Sequence, residues 1–368
     1  MRILFFAGAN SVHSRKWIGY FADRGHRILW ISLHGGDDDL ARHPNIQLVA
    51  PASGLGGLAA SFFLIRQLVR EFSVDVTHVH SVGTYGFAGA LLGLRPMVMT
   101  PWGSDINLNN RHPFKRALLR WIMKKADMVT ADADYILRQS HRLGREDARY
   151  ERVNFGVDTN MFSPEAGLNA ISKLTRIPGF ETFSPDNFNI VSTRNFHPVY
   201  DVSCLIRAMP QIMSAHPQAR LFLAGKGPEE AKLRALCDEF GLGGIVSFVG
   251  HLDQASMSVM LAAMDAYVST STSDAGIASS TAEAMACGVP VVITDVYENG
   301  DWIDEGRAGF LFPESDAAGL ADAVSSLIVM ETADRRRMAA YARKRICDKN
   351  EWASEMRRME DLLTQLTL

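Results

Sequence analysis

The stretch Ser269–Asp295, STSTSDAGIASSTAEAMACGVPVVITD, sets a polar, glycine-bearing loop before a helix-forming run and then an apolar run. That order suits a nucleotide phosphate. N–H groups at a helix start lack intrahelical partners and carry the positive end of the helix dipole, so a diphosphate settles there with few charged side chains. Glu283 falls a few residues into the helix, where its carboxylate can accept two hydrogen bonds from a ribose diol. The same letters allow another use. Ser280-Thr-Ala-Glu283 fits the S-x-x-E capping box, in which the glutamate reaches back to the N-cap amide.

A second stretch with chemical character is Arg111–Lys125, RHPFKRALLRWIMKK. Arg116, Arg120 and Lys124 recur every four residues on one stripe, and Phe114, Leu118, Trp121 and Ile122 form another. A basic amphipathic helix carrying an aromatic residue can lie on anionic lipid. It can equally be an ordinary helix of a layered domain whose outer face is basic. Other signatures are missing. The first strand-to-helix turn, AGANSVHSRKW, holds only Gly8 and lacks G-x-G-x-x-G, and the chain has no P-loop, H-E-x-x-H or G-x-S-x-G.

The elements that must position these residues alternate. Apolar runs at Ile3–Phe6, Ile28–Ser32, Ile46–Ala50, Val76–Val79 and Val98–Thr100 read as strands, with helical patterns at Arg15–Asp23 and Leu58–Phe72 between them. The second half repeats the scheme at Phe188–Ser192, Arg220–Leu223, Ile245–Phe248, Ala266–Ser269 and Val291–Thr294. Asn160–Asn187, rich in Pro, Ser, Asn and Gly, reads as a boundary. The expectation is an α/β chain of two facing Rossmann-like, doubly wound domains, with ligands in the cleft beyond the carboxyl ends of the strands. The expected domains are 1–165, 166–350 and a C-terminal helix, 351–368, packing back toward the first domain.

Length and composition agree. A chain of 368 residues exceeds one ordinary core and suits two domains. A net charge of −3 argues against bulk nucleic-acid binding, so any positive patch must be local. Cys204, Cys237, Cys287 and Cys347 show no C-x-x-C spacing, which suggests neither a zinc site nor a disulfide framework and fits a reducing cytoplasm. The N-terminus enters a strand-like run directly, without signal-peptide character, and no segment reaches the roughly 18 to 20 apolar residues of a spanning helix.

Eight separated segments, in order and spacing, resemble the family 4 retaining glycosyltransferases of the GT-B fold. They are RGHRILWIS, DVTHVHS, VNFGVDTNMFSP, VSTRNFHPVYDVSCLIRAM, LFLAGKGPEE, VSFVGHL, AEAMACGVPVV and GRAGFLFP, and together they cover nearly the whole chain. The resemblance implies transfer of a sugar from a nucleotide sugar to a glycan, glycolipid or other hydroxyl acceptor, with retention at the anomeric carbon and no metal or other cofactor. A role in surface polysaccharide or glycolipid synthesis is the accompanying expectation, in the cytoplasm or peripherally on the inner face of the membrane. The competing readings are a catalytically impaired binding or regulatory subunit and a GT-B sugar-nucleotide epimerase.

Carried over residue by residue, the resemblance makes Arg194 the diphosphate-binding arginine and Glu283 the ribose-holding glutamate, with Gly276, Ile277 and Ala278 forming the donor loop. The chain departs from the family at three places. The first glutamate of the family's Glu-x7-Glu pair is Ala275, with Asp274 one residue earlier as its substitute. The lysine that usually follows the arginine is replaced by Tyr200, uncharged but able to donate to phosphate, and Lys226 is the nearest compensating cation in sequence. Trp102 stands where many members carry a histidine before G-x-D, while Asp105 keeps the aspartate and joins Arg194 and Asp274 as a catalytic candidate. His13, in the first turn with Ser11 and Ser14, and His80, at a strand end, are acceptor-side candidates. Trp302 is expected to pack in the core.

Overall fold

A computed structural model of the chain describes all residues except 36–38, 52–53, 108–111, 169–172, 175 and 305. Arg111 and part of the expected boundary stretch Asn160–Asn187 therefore lie outside the described residues. The chain divides into two compact units, Met1–Phe155 with Ala353–Leu368, and Gly156–Trp352. Residues 156–165, which the sequence reading placed in the first domain, belong to the second unit.

The first unit holds seven parallel strands: β1 (Arg2–Phe6), β2 (Arg27–Ile31), β3 (Ile46–Val49), β4 (Val76–His80), β5 (Met97–Thr100), β6 (Met128–Ala131) and β7 (Arg149–Arg152). Their order is β3-β2-β1-β4-β5-β6-β7. Helices on both faces bury the central strands, so β1 and β5 read largely as apolar runs, while β4, VTHVH, carries Thr77, His78 and His80 into the interior. The order reverses between β1 and β4, so the turns leaving those two strands diverge and open a crevice at their carboxyl ends. The helix Val12–Asp23 starts three residues earlier than its apolar period suggested, because the Ser11 hydroxyl caps it by accepting from the Ser14 N–H at 3.2 Å. The C-terminal helix Trp352–Thr367 joins this unit from Ala353 onward. There Glu360 accepts from Arg24 at 2.7 Å and bonds His26 at 2.6 Å, and Glu355 accepts from the Asn154 N–H at 2.8 Å.

The second unit holds six parallel strands: β8 (Phe188–Ser192), β9 (Ala219–Leu223), β10 (Val246–Phe248), β11 (Ala266–Ser269), β12 (Val291–Thr294) and β13 (Gly309–Phe312), in the order β10-β9-β8-β11-β12-β13. Successive side chains of a strand point to opposite faces, and the core divides accordingly. Leu221 and Leu223 pack with Ala266 and Val268 on one face, while Phe222 and Tyr267 pack with Val191 and Ala282 on the other. Trp302 lies in that second cluster as a core residue. The reversal of order falls between β8 and β11, which puts the turns carrying Arg194 and Asp274–Ala278 side by side.

Candidate functional site

In the second unit, Arg194 sits two residues beyond β8, and its position is fixed by backbone packing. Gly225 and Gly227, in the turn after β9, lie so close that an added Cβ would stand 2.5 Å from the Arg194 carbonyl oxygen and 2.4 Å from that of Phe196. No side chain fits there. The Phe196 N–H completes the join by donating to the Lys226 carbonyl at 3.0 Å. The expected donor-binding Lys226 thus contributes its backbone to the turn, and its side chain is exposed.

The guanidinium of Arg194 is almost fully enclosed. Its Nη2 donates to Asp274 Oδ1 at 2.7 Å, with the two side chains only 9% and 12% exposed, and its Nη1 donates to the Ser280 hydroxyl at 3.1 Å. The Tyr200 ring lies beneath it, 4.2 Å from Cζ to ring centre. Tyr200 therefore meets the site with its aromatic face, whereas the sequence reading gave it a hydroxyl donor's role. Burial opposes the charge on Arg194, but the Asp274 carboxylate, with Tyr267 and Tyr200, outweighs it and holds the guanidinium above its ordinary pKa. Arg194 Nε is buried and has no partner among the described residues. The loop bearing Asp274 is tied back in turn, since Thr270 Oγ1 donates to the Tyr200 carbonyl at 2.7 Å and the Thr272 N–H to that of Val199 at 3.0 Å.

The helix that follows spans Ser279–Ala286, with Ala278 as N-cap and no side-chain cap. This corrects the capping-box alternative. Ser280 lies inside the helix, and its hydroxyl accepts from Tyr267 Oη at 2.9 Å as well as from Arg194. Glu283, half-buried, follows Ser280 by three residues and so shares its helix face. Gly276 and Ile277 are buried, Ile277 within the core cluster, so the loop offers backbone rather than side chains at this point. Arg194, Ser280 and the uncapped helix start gather donors at one locus, which is an arrangement for an anion. Sequence reading missed Ser280 as a hydrogen-bonding hub, Tyr267 behind it, and the two glycines. The A-G-K-G-P turn was the available signal.

The first unit carries a separate group at the carboxyl ends of β4 and β5. His80 Nδ1 bonds the Ser14 hydroxyl at 3.0 Å, and its Nε2 is buried without a partner among the described residues. His13 packs against Phe155 with ring centres 4.9 Å apart and against Trp102 at 6.1 Å. Burial, followed by the charge of Lys16, lowers His13 to about 4, and burial followed by the charge of His13 lowers His80 to about 3. Both imidazoles are thus neutral at neutral pH. Asp105 accepts from the backbone N–H groups of Val82 at 2.8 Å and of Trp102 and Ile106 at 3.0 Å each. Its carboxylate clamps the turns after β4 and β5 together. Burial raises its pKa, against those hydrogen bonds.

Helix Pro113–Met123 buries Leu119, Ile122 and Met123. The apolar stripe of the sequence splits here, because Ile122 turns inward while Phe114, Leu118 and Trp121 stay 82%, 46% and 39% exposed. Lys115, Arg116, Arg120, Lys124 and Lys125 are exposed beside them. Among the described residues no group of three or more His, Cys, Asp or Glu is arranged to hold a metal ion, and no helix is long and apolar enough to cross a membrane.

Comparison with known proteins gives a consistent result. Residues 176–345 match the family described as glycosyl transferases group 1, and residues 2–133 match glycosyl transferase 4-like proteins. The chain is 26% identical to N-acetyl-alpha-D-glucosaminyl L-malate synthase of Bacillus anthracis over 297 residues, 77% of this chain and 72% of that one. It is 30% identical over 186 residues, 49% of this chain and 47% of that one, to a GDP-mannose-dependent monoacylated alpha-(1-6)-phosphatidylinositol monomannoside mannosyltransferase of Corynebacterium glutamicum. Among solved structures, Anabaena HepE in complex with UDP and glucose superposes with a TM-score of 0.82 at 20% identity, covering all of both chains. At that identity the likeness speaks for the fold.

Proposed function

The chain belongs to the family 4 glycosyltransferases of the GT-B fold, and from that premise we propose that it moves a sugar from a nucleoside-diphosphate sugar to a hydroxyl of a glycan or lipid-linked acceptor, with retention and without a metal. The observation that carries this reading is the enclosed Arg194, held by Asp274, Ser280 and Tyr200 at the start of the Ser279–Ala286 helix. As the bond from the anomeric carbon to the diphosphate breaks and the acceptor oxygen bonds that carbon, negative charge gathers on the departing diphosphate. Arg194 and the first-turn N–H groups meet that charge with dipoles already in place, which is where electrostatic catalysis is most effective. Glu283, on the same helix face, holds the ribose. The neutral His13 and His80 and the turns clamped by Asp105 form the acceptor side.

The relatives point to different nucleotides, one named for GDP-mannose and one structure holding UDP, so the donor is found by testing rather than by analogy. UDP-, GDP- and ADP-sugars screened by thermal shift should give one stabilising donor, and Arg194→Ala should abolish that shift. Silence toward all three with a well-folded protein would overturn the reading. The anomeric configuration of the product, read by NMR, then decides retention.

The reading extends to a cytoplasmic protein working at the inner face of a membrane, through the helix Pro113–Met123. The helix has no acidic residue, and its exposed apolar stripe lies beside the basic one. Co-sedimentation with anionic but not neutral vesicles is the expected result, reduced in Trp121→Glu.

A further inference from the structure

Beneath the exposed stripe of helix Pro113–Met123 lies a cavity of about 410 Å³, within the usual range of roughly 300–1,000 Å³ for small-ligand sites. Its walls are apolar. Val82 and Phe87 come from the turn after β4 and the helix Thr84–Leu92, and Leu118, Leu119 and Ile122 from the basic helix. The two helices meet closely because residue 86 is glycine, where an added Cβ would stand 3.1 Å from Ile122. Among the described residues exposed Lys115 is the single charged one of the lining, and Arg116 and Arg120 continue the positive charge on the same helix. Val82 is also the residue whose N–H donates to Asp105, so the cavity begins at the clamped carboxyl edge of β4 and β5. A cavity with apolar walls, a cationic rim and one end at that edge has the chemistry of a tail-and-headgroup molecule.

We propose that this cavity takes the alkyl chain of an anionic amphiphilic acceptor, with Lys115 meeting its phosphate and the acceptor hydroxyl presented at the β4–β5 edge. The inference rests on the glycosyltransferase reading and names the acceptor class within it. An acyl or prenyl chain fits the apolar walls. A free polysaccharide would leave them unfilled, and a neutral lipid would leave the basic rim without a partner.

The test titrates the intact protein with octyl, decyl and dodecyl phosphate below their micellar concentrations. Affinity should tighten by about fourfold per added methylene, the factor for burying each CH₂ group. Thr84→Phe, at a lining position, should erase that dependence on chain length, and so should Leu118→Glu, whose half-exposed site tolerates the polar side chain. Lys115→Glu should weaken all three ligands several-fold and keep the same increment per methylene. Dodecyltrimethylammonium, with the same tail and opposite charge, should bind more weakly than dodecyl phosphate.

Equal affinity for the three chain lengths would overturn the proposal, as would native-like chain-length dependence in both Thr84→Phe and Leu118→Glu. Tighter binding of the ammonium compound would overturn the anionic headgroup. Thermal shift by the nucleotide sugar, measured on the same samples, separates the two levels. A donor shift kept without chain-length dependence refutes the cavity assignment alone, and chain-length dependence without any donor shift supports the cavity while refuting the transferase reading.

Discussion

The guanidinium of Arg194 lies 4.2 Å above the centre of the Tyr200 ring, a cation stacked on an aromatic face. A ring face attracts the positive charge through its quadrupole, while Asp274 and Ser280 hold the edge of the guanidinium. On this geometry the aromatic ring, rather than the hydroxyl, is expected to be the working part of Tyr200. Tyr200→Phe should keep kcat/KM close to native, and Tyr200→Ala should lower it by about 2- to 30-fold, the range of a cation–π contact of roughly 0.5–2 kcal/mol. Equal losses in the two variants, measured by steady-state kinetics, would show that the hydroxyl matters instead.

Ser280 and Tyr267 form a buried relay behind the arginine, and the relay should show in a double-mutant cycle. Ser280→Ala removes the acceptor for both Arg194 Nη1 and Tyr267 Oη, leaving a fully buried hydroxyl unpaired, at a cost of about 1–3 kcal/mol in urea unfolding. Combined with Tyr267→Phe, which deletes that orphan, the loss should be smaller than the sum of the two single losses. Strict additivity would deny the relay.

Gly227 tests whether backbone packing sets the arginine. An alanine Cβ at that position would meet the Phe196 carbonyl oxygen at 2.4 Å, and backbone is what must give way. Gly227→Ala should destabilise the protein by about 1–3 kcal/mol and weaken donor binding as well. Gly243→Ala, at a position with nothing within 4 Å of the added Cβ, is the control and should leave donor binding at the native level. Thermal melts with and without donor read both effects.

Acid stability should report the histidines of the first unit. His13 is lowered to about 4 and His80 to about 3 from 6.5, and burial lowers the fully buried His78 well below 6.5 too. Each binds a proton more readily unfolded than folded, so stability is complete above about pH 6.5 and falls as pH drops toward the folded values, by about 1.4 kcal/mol per pH unit per histidine. His80→Gln should flatten the slope of unfolding free energy between pH 6.5 and 5. An unchanged slope would place the titration elsewhere.

Much of the fold was legible because buried parallel strands announce themselves as apolar runs. The expected strands of both halves recur as β1–β5 and β8–β12, with ends shifted by a residue or so. Three strands were not foreseen. Arg149–Arg152 reads RYER and forms a half-buried edge, so no apolar period marks it, whereas Met128–Ala131 and Gly309–Phe312 are as short as strands that were foreseen and length does not set them apart.

The sequence by itself determined the α/β alternation, the polar loop leading into a helix, the basic helix and the family resemblance, because these depend on local composition and periodicity. Tertiary structure alone decided the partners. Arg194 and Asp274 are 80 residues apart, and they meet because the strand order reverses between β8 and β11. Ser280 looked like a cap until the helix start fell at Ser279 and Tyr267 came up beneath it. Leu118 and Ile122 shared one stripe on paper and separated once the helix Thr84–Leu92 covered only one side. Periodicity says which residues share a face. Which face is covered, and by what, follows from long-range packing.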